Sequence, residues 1–146
     1  MFKFYKKFQA KSYLDNDLAY ESTVQVKGKL ISFGIQDNDY LSIHYPDSYS
    51  QVDLSEIKNI GVGSFIQISA NWNKIGLPIE KFWVEVTRVV IIGGMPSYYG
   101  NAGNDTFVAP IDSKIGPIYP GCINRVYSED YLKKVALPKL RHKQAA

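Results

Sequence analysis

Polar and apolar residues alternate along much of this chain, and a period of two is typical of β-strands with one buried face. The first clear alternation begins at Thr23 and runs for about ten residues. Gly28 interrupts it and predicts a bulge or a kink. Residues 37–39 (Asp-Asn-Asp) have turn chemistry, and alternation resumes over residues 40–45. We therefore predict a hairpin that turns at residues 37–39 and returns along residues 40–45.

Residues 82–92 are the most strand-like segment, because Val and Ile occupy most of their positions. Trp83 and Phe82 fall on opposite sides of this strand, and we expect Trp83 to pack on the apolar side of the sheet. Residues 98–105 are rich in Gly and Asn, which predicts turns. The remaining predicted elements are short strands at residues 65–68, 107–108 and 123–127 and a helical turn at residues 53–57.

The two ends of the chain differ from its middle. Residues 1–20 carry aromatic side chains among lysines and predict an N-terminal arm or a short amphipathic helix. Ser128 stands at the cap of a short predicted helix, which Pro138 ends. We predict one β-rich domain over residues 21–137 and a basic tail over residues 138–146. Six or seven strands with one late helix imply a mainly β (α+β) fold, a small antiparallel rolled sheet or barrel with a short C-terminal helix.

The chain has 146 residues and a net charge of +3, with much of the positive charge near its two ends. Terminal lysines are usually solvated, so this distribution argues against a nucleic-acid partner. Aromatic residues make up 14% of the chain, and eleven of them are Tyr. Tyr suits strands because its ring covers the pleated surface while its hydroxyl reaches water, so a sheet accounts for most of these residues.

Cys122 is the single cysteine, so the chain cannot form an internal disulfide, as is typical of a reducing compartment. The basic start is not followed by the apolar region of a secretory signal. The longest apolar run starts at Val89 and continues through Met95, which is too short to cross a bilayer. We expect a cytoplasmic protein without a membrane span.

No pattern in the sequence predicts catalysis. Two histidines and one cysteine are too few for a zinc site built from Cys and His alone. A nucleophile–base pair of Cys122 and His44 would need two distant segments to converge, and nothing near either residue supports it. Residues 37–39 resemble the start of a calcium loop but lack the Gly and Glu that complete one. We predict no enzymatic activity, no metal and no cofactor.

Residues 80–87 (Glu-Lys-Phe-Trp-Val-Glu-Val-Thr) resemble a strand motif of a bacterial family, the domain-of-unknown-function family 2314. Related proteins include predicted immunity proteins of bacterial toxin systems. Gly100 and residues 104–105 (Asn-Asp) match the next element of that pattern, and residues 121–122 match its late turn. The resemblance covers roughly residues 52–132.

The chain departs from the family pattern in one consistent way. The acidic residue of two Gly-Asp turns is replaced, by Ser64 in the first and by Cys122 in the second. The family implies neither an activity nor a metal, so it supplies no catalytic residues.

Two functional hypotheses follow. In the first, the protein binds a protein partner and is an immunity protein that blocks a cognate toxin domain. In the second, it is a small nucleic-acid-binding or enzyme-accessory β-barrel that uses its basic termini. For the first, exposed aromatic and acidic side chains in loops would make the contact. The candidate partner-binding residues are Asp37, Asn38, Asp39, Tyr40, Tyr98, Tyr99, Asn101, Asn104 and Asp105.

Overall fold

The computed structural model describes residues 19–127. The predicted helix from Ser128, the basic tail at residues 138–146 and nearly all of the N-terminal arm lie outside this range. The elements in chain order are β1 (Ala19–Val26), β2 (Lys29–Gln36), α1 (Asn38–His44), α2 (Leu54–Lys58), β3 (Phe65–Asn71), β4 (Glu80–Ile92), β5 (Met95–Ala102), β6 (Lys114–Ile118), a 3-10 turn (Pro120–Cys122) and β7 (Arg125–Tyr127).

The first hairpin turns at Lys27 and Gly28, not at residues 37–39. Both residues have positive φ (51° and 77°), as a two-residue turn between twisted strands requires, and Val26 pairs with Lys29 across it. Asp37 caps α1, since its Oδ1 accepts a hydrogen bond from the backbone N–H of Tyr40 (3.2 Å). The predicted strand at residues 40–45 is therefore wrong, because Asp is as well suited to start a helix as to form a turn.

Strands β1 to β6 form a closed ring in which every neighbouring pair is antiparallel. The ring closes where β1 meets β6, with Thr23 opposite Gly116. Pairing of β2 with β3 is limited to Gly34–Asn71 and Ile35–Ala70, and β7 pairs with the first half of β3. The prediction of a mainly β, rolled antiparallel sheet is confirmed.

Trp72, and not Trp83, lies in the core inside the ring. Trp72 is 3% exposed, and its indole lies 4.7 Å from the ring of Phe33 and 5.7 Å from that of Phe82. Trp83 is half-buried on the outer face of β4, where it stacks on Tyr127 at 4.9 Å. Alternation along β4 was predicted correctly, but the assignment of its inner face was wrong: Phe82 and its even-numbered neighbours point inward.

Two strands that follow β4 differ from the prediction. Residues 95–102, expected to be partly turns, form β5, and residues 114–118, for which no strand was predicted, form β6. Residues 107–108 lie in the loop between these strands and form no strand. Gly, Pro and Asn lower the β-propensity of these segments, so pairing within the ring decides their conformation.

The hairpin between β4 and β5 projects beyond the ring. Strand β3 pairs with β4 only as far as Glu85, and β6 pairs with β5 only from Tyr98 onward. Within the described residues, positions 90–97 therefore pair only with each other, around a turn at Gly93 and Gly94 (φ 59° and 80°). We call this projecting hairpin, residues 90–97, the arm; it is a different segment from the predicted N-terminal arm.

Candidate binding surfaces

Hydrogen bonds to side chains of β4 and of the loop itself hold the loop between β5 and β6 against β4. The backbone N–H of Trp83 donates to Oδ1 of Asn104 (3.0 Å), and that of Ile111 donates to Oδ1 of Asp105 (2.8 Å). Oε1 of Glu80 accepts from the indole N–H of Trp72 and from the backbone N–H of Phe107, both at 2.9 Å. Asn104 and Asp105 were predicted to bind a partner, and the structure gives each of them a structural hydrogen bond as well.

Gly100 has a similar role at the centre of the same strands. A Cβ at this position would collide with the backbone carbonyl of Glu85 and contact the side chain of Val84. Only glycine allows β5 to approach β4 this closely, because every other residue carries a Cβ. The glycine of the resembling motif therefore serves packing.

Asp37, Asn38 and Tyr98 are buried, with exposed fractions of 3%, 1% and 2%. Their prediction as exposed loop residues is wrong. Oδ2 of Asp37 accepts a hydrogen bond from the hydroxyl of Tyr20 (3.0 Å), and Nδ2 of Asn38 donates to the carbonyl of Ser50 (2.9 Å). A buried polar group requires such partners, and these bonds attach α1 to the ring.

The remaining predicted residues are half-buried and lie apart. Asp39 and Tyr40 lie on α1, where the Tyr40 ring is 4.2 Å from that of His44. Tyr99 and Asn101 lie on the outer face of β5. The fold does not bring the two predicted patches into one surface.

Tyr99 and Asn101 line a groove of about 670 Å³ on the outside of the ring, which we call the outer groove. It crosses the outer faces of β1, β6, β5 and β4. The Arg88 guanidinium lies 4.4 Å from the centre of the Tyr99 ring, a cation–π arrangement. Lys114 supplies a second cation, and Thr23 and Gln25 supply polar groups. Sequence analysis missed Arg88 and Lys114, because only the closed ring places their strands together.

A second groove, of about 550 Å³, lies beside the base of the arm, and we call it the end groove. Leu54 and Ile57 of α2 face Met95 and Pro96 of the arm across it, and Asp39 and Lys58 contribute charges. Leu54, Ile91 and Ile92 are 67%, 63% and 61% exposed. This end of the ring therefore presents apolar side chains to solvent.

Cys122 and His44 lie in different environments. The thiol of Cys122 is fully buried, with Sγ 4.0 Å from the carbonyl oxygen of Ile35. His44 is exposed on α1 and packs on Tyr40. A buried thiol is not accessible to a substrate, so the arrangement does not favour a nucleophile–base pair.

The pKa values of Tyr98, Tyr119 and Lys81 are displaced. Burial raises the pKa of Tyr98. Burial also raises the pKa of Tyr119, and the charges of the nearby Tyr99, Cys122 and Glu21 add to the effect. Burial, followed by the nearby Arg125 charge, lowers the pKa of Lys81.

Within residues 19–127, no three His, Cys, Asp or Glu side chains are grouped closely enough to hold a metal ion. The same residues include no helix with the length and apolar character needed to cross a membrane. Comparison of the chain with protein-family models, curated proteins and solved structures found no match.

Proposed function

We propose that this protein acts by binding another protein, without catalysis, and that the arm makes the central contact. The exposure of Ile91 and Ile92 on a projecting hairpin is the observation that carries the proposal. No charged residue occurs between Arg88 and Asp105. Exposed strand edges usually carry Lys or other charges that prevent association, and an apolar edge without them is suited to a protein partner.

The β4 strand of the arm is the better edge for such a contact. Pro96 removes one backbone donor from the β5 strand, whereas residues 90–92 of β4 keep theirs. Among the described residues, nothing pairs with this side of β4 beyond Val86. An extended partner segment would add to this edge through backbone hydrogen bonds, and Ile91 and Ile92 would supply apolar contacts.

The more specific form of the proposal is an immunity protein that covers the active site of a toxin domain. The resemblance of residues 52–132 to proteins that include predicted immunity proteins supports it. The residues that carry that resemblance stabilise the fold and are not expected to contact the toxin. We therefore expect the contact to be made by the arm and by the end groove beside its base.

Capture from native-cell lysate tests the arm directly. We expect the tagged protein to retain a partner that the Ile91→Asp/Ile92→Asp variant loses. Ile75→Asp is the matched control, because Ile75 is 91% exposed in the loop between β3 and β4, away from the arm. Both variants should melt near the wild-type temperature, since exposed side chains contribute little to stability. Equal capture by all three proteins would show that the arm is not the contact.

The immunity proposal has its own readout. The captured partner, expressed alone, should arrest growth, and co-expression of the wild-type protein should restore it. The Ile75→Asp variant should protect as well as wild type, and the arm variant should not. A partner that is harmless when expressed alone would exclude an immunity role and leave the binding function intact.

A further inference from the structure

In the outer groove, the guanidinium of Arg88 packs on the ring of Tyr99. The Tyr99 ring in turn packs so closely over Gly116 that a Cβ there would lie 2.5 Å from Cδ2. The carbonyl of Gly116 accepts a hydrogen bond from the hydroxyl of Thr23 (3.0 Å), which holds β6 in place. A guanidinium ordered before binding loses less conformational entropy when it captures an anion.

The charged side chains that line the groove are positive, and Glu85, the cross-strand partner of Asn101 on β4, lies outside this lining. Among the described residues lining it, Arg88 and Lys114 are the only charged groups, and no carboxylate is present. The nearest acid along β1 is Glu21, whose Oε1 accepts a hydrogen bond from the hydroxyl of Ser32 (3.0 Å). Two cations in a lining without carboxylates, beside the amide of Asn101, form a surface complementary to an anion.

We propose that the outer groove binds a carboxylate-rich segment of the partner protein. This inference rests on the proposed protein-binding function and adds a second, charged contact to the apolar contact of the arm. A carboxylate of the partner accepts two parallel hydrogen bonds from Arg88, and a neighbouring acid pairs with Lys114.

The geometry favours an acidic protein segment over nucleic acid. Single-stranded nucleic acid binds through bases that stack on open aromatic rings. In the groove, the Tyr99 ring is covered by Arg88 and closely approached by Gly116. The face that Arg88 covers is therefore not open to a base. Carboxylates need no such face and require only the cations and the polar groups beside them.

Titration of the isotopically labelled full chain with hexaglutamate, followed by NMR at low salt, tests the proposal. We expect chemical-shift changes at the amides of residues lining the groove, which disappear as salt is added. The Arg88→Gln/Lys114→Gln variant should bind the peptide about fivefold more weakly or worse. The matched control is Lys74→Gln/Arg125→Gln, which removes the same charge from an exposed lysine and an exposed arginine outside both grooves and should bind like wild type.

Each other outcome overturns the inference. Equal weakening by both double variants would show general attraction to a basic protein, and no binding at all would exclude the site. Tighter, groove-dependent binding of a short oligothymidylate strand would assign the groove to nucleic acid. The titration uses neither the arm nor a lysate partner. The Ile91→Asp/Ile92→Asp variant should therefore bind hexaglutamate normally, and failure of the groove can be distinguished from failure of the proposed function.

Discussion

Replacing Trp72 by Ala should destabilise the protein much more than replacing Trp83 by Ala. Trp72 is 3% exposed, contacts the rings of Phe33 and Phe82 and donates its indole N–H to Glu80. Truncation of a buried Trp costs about 3–5 kcal/mol, and the lost ring contacts and hydrogen bond place this site near the upper part of that range. For a domain with about 5–15 kcal/mol of stability, such a loss is severe.

Trp83 should contribute far less. It is half-buried on the outer face, and its ring contact among the described residues is the stack on Tyr127. An aromatic pair contributes about 0.5–1.5 kcal/mol, and partial burial adds a similar amount, so we expect Trp83→Ala to cost about 1–3 kcal/mol. Its backbone N–H, which donates to Asn104, is unchanged by the substitution.

Urea denaturation followed by far-UV circular dichroism compares the two variants on the same scale. With a typical dependence of about 2 kcal/mol per molar urea, the midpoints of the two variants should differ by about 1 M or more. Each variant retains the other Trp as a fluorescent reporter, which checks that unfolding is a single transition. A loss for Trp83→Ala equal to or greater than that for Trp72→Ala would refute the assignment of the inner face of β4.

Three further substitutions test the scaffold. Gly100→Ala should abolish or severely reduce folding, measured as soluble yield and melting temperature, because its Cβ collides with the carbonyl of Glu85. Asn104→Ala should cost about 1–2 kcal/mol in urea denaturation, because the N–H of Trp83 loses its acceptor; an unchanged midpoint would mean that water replaces the side chain. Burial raises the pKa of Tyr98, so the folded protein disfavours the ionised phenol. The contribution of Tyr98 to the free energy of unfolding is therefore complete below the ordinary pKa of about 10 and is lost as pH rises above that value towards the raised pKa. Tyr98→Phe should therefore flatten the fall in melting temperature between neutral and alkaline pH, and an unaltered slope would assign that fall to other tyrosines.

The sequence predicted the fold class and the better-patterned strands because their signals are local. Val and Ile mark β4, and glycines mark its turn into β5. The position of the first hairpin was not predictable in this way, since Asp37 suits a turn and a helix cap equally and only its bond to Tyr20 across the fold distinguishes them. The inner face of β4 was assigned wrongly for a different reason: Trp83 is the largest apolar side chain of the strand, but it shares its face with Glu85 and Thr87. The three apolar side chains Phe82, Val84 and Val86 share the inner face.

The candidate site was less predictable than the fold. Tyr, Asp and Asn in turn-like segments were predicted to be exposed and to contact a partner, but Asp37 and Tyr98 are buried. Tyr99 is half-buried and lines the outer groove beside Arg88, and its contact with a partner stays a prediction. Arg88 and Lys114 lie on strands that meet only in the folded sheet, through β5 and its two partners. A single sequence contains no local signal for such a grouping.

The motif residues Trp83, Gly100 and Asn104 and the residues of the arm have different roles in the structure. Each of these three motif residues contributes to the packing or hydrogen bonding that holds β5 and its following loop on β4. None of them lies in the arm, where the proposed partner contact is made. A protein that shares this motif would therefore be expected to share the ring, while its arm and outer groove would determine what it binds. Exchanging the arm between two such proteins should transfer partner choice without loss of stability, whereas exchanging the motif should affect stability and leave partner choice unchanged.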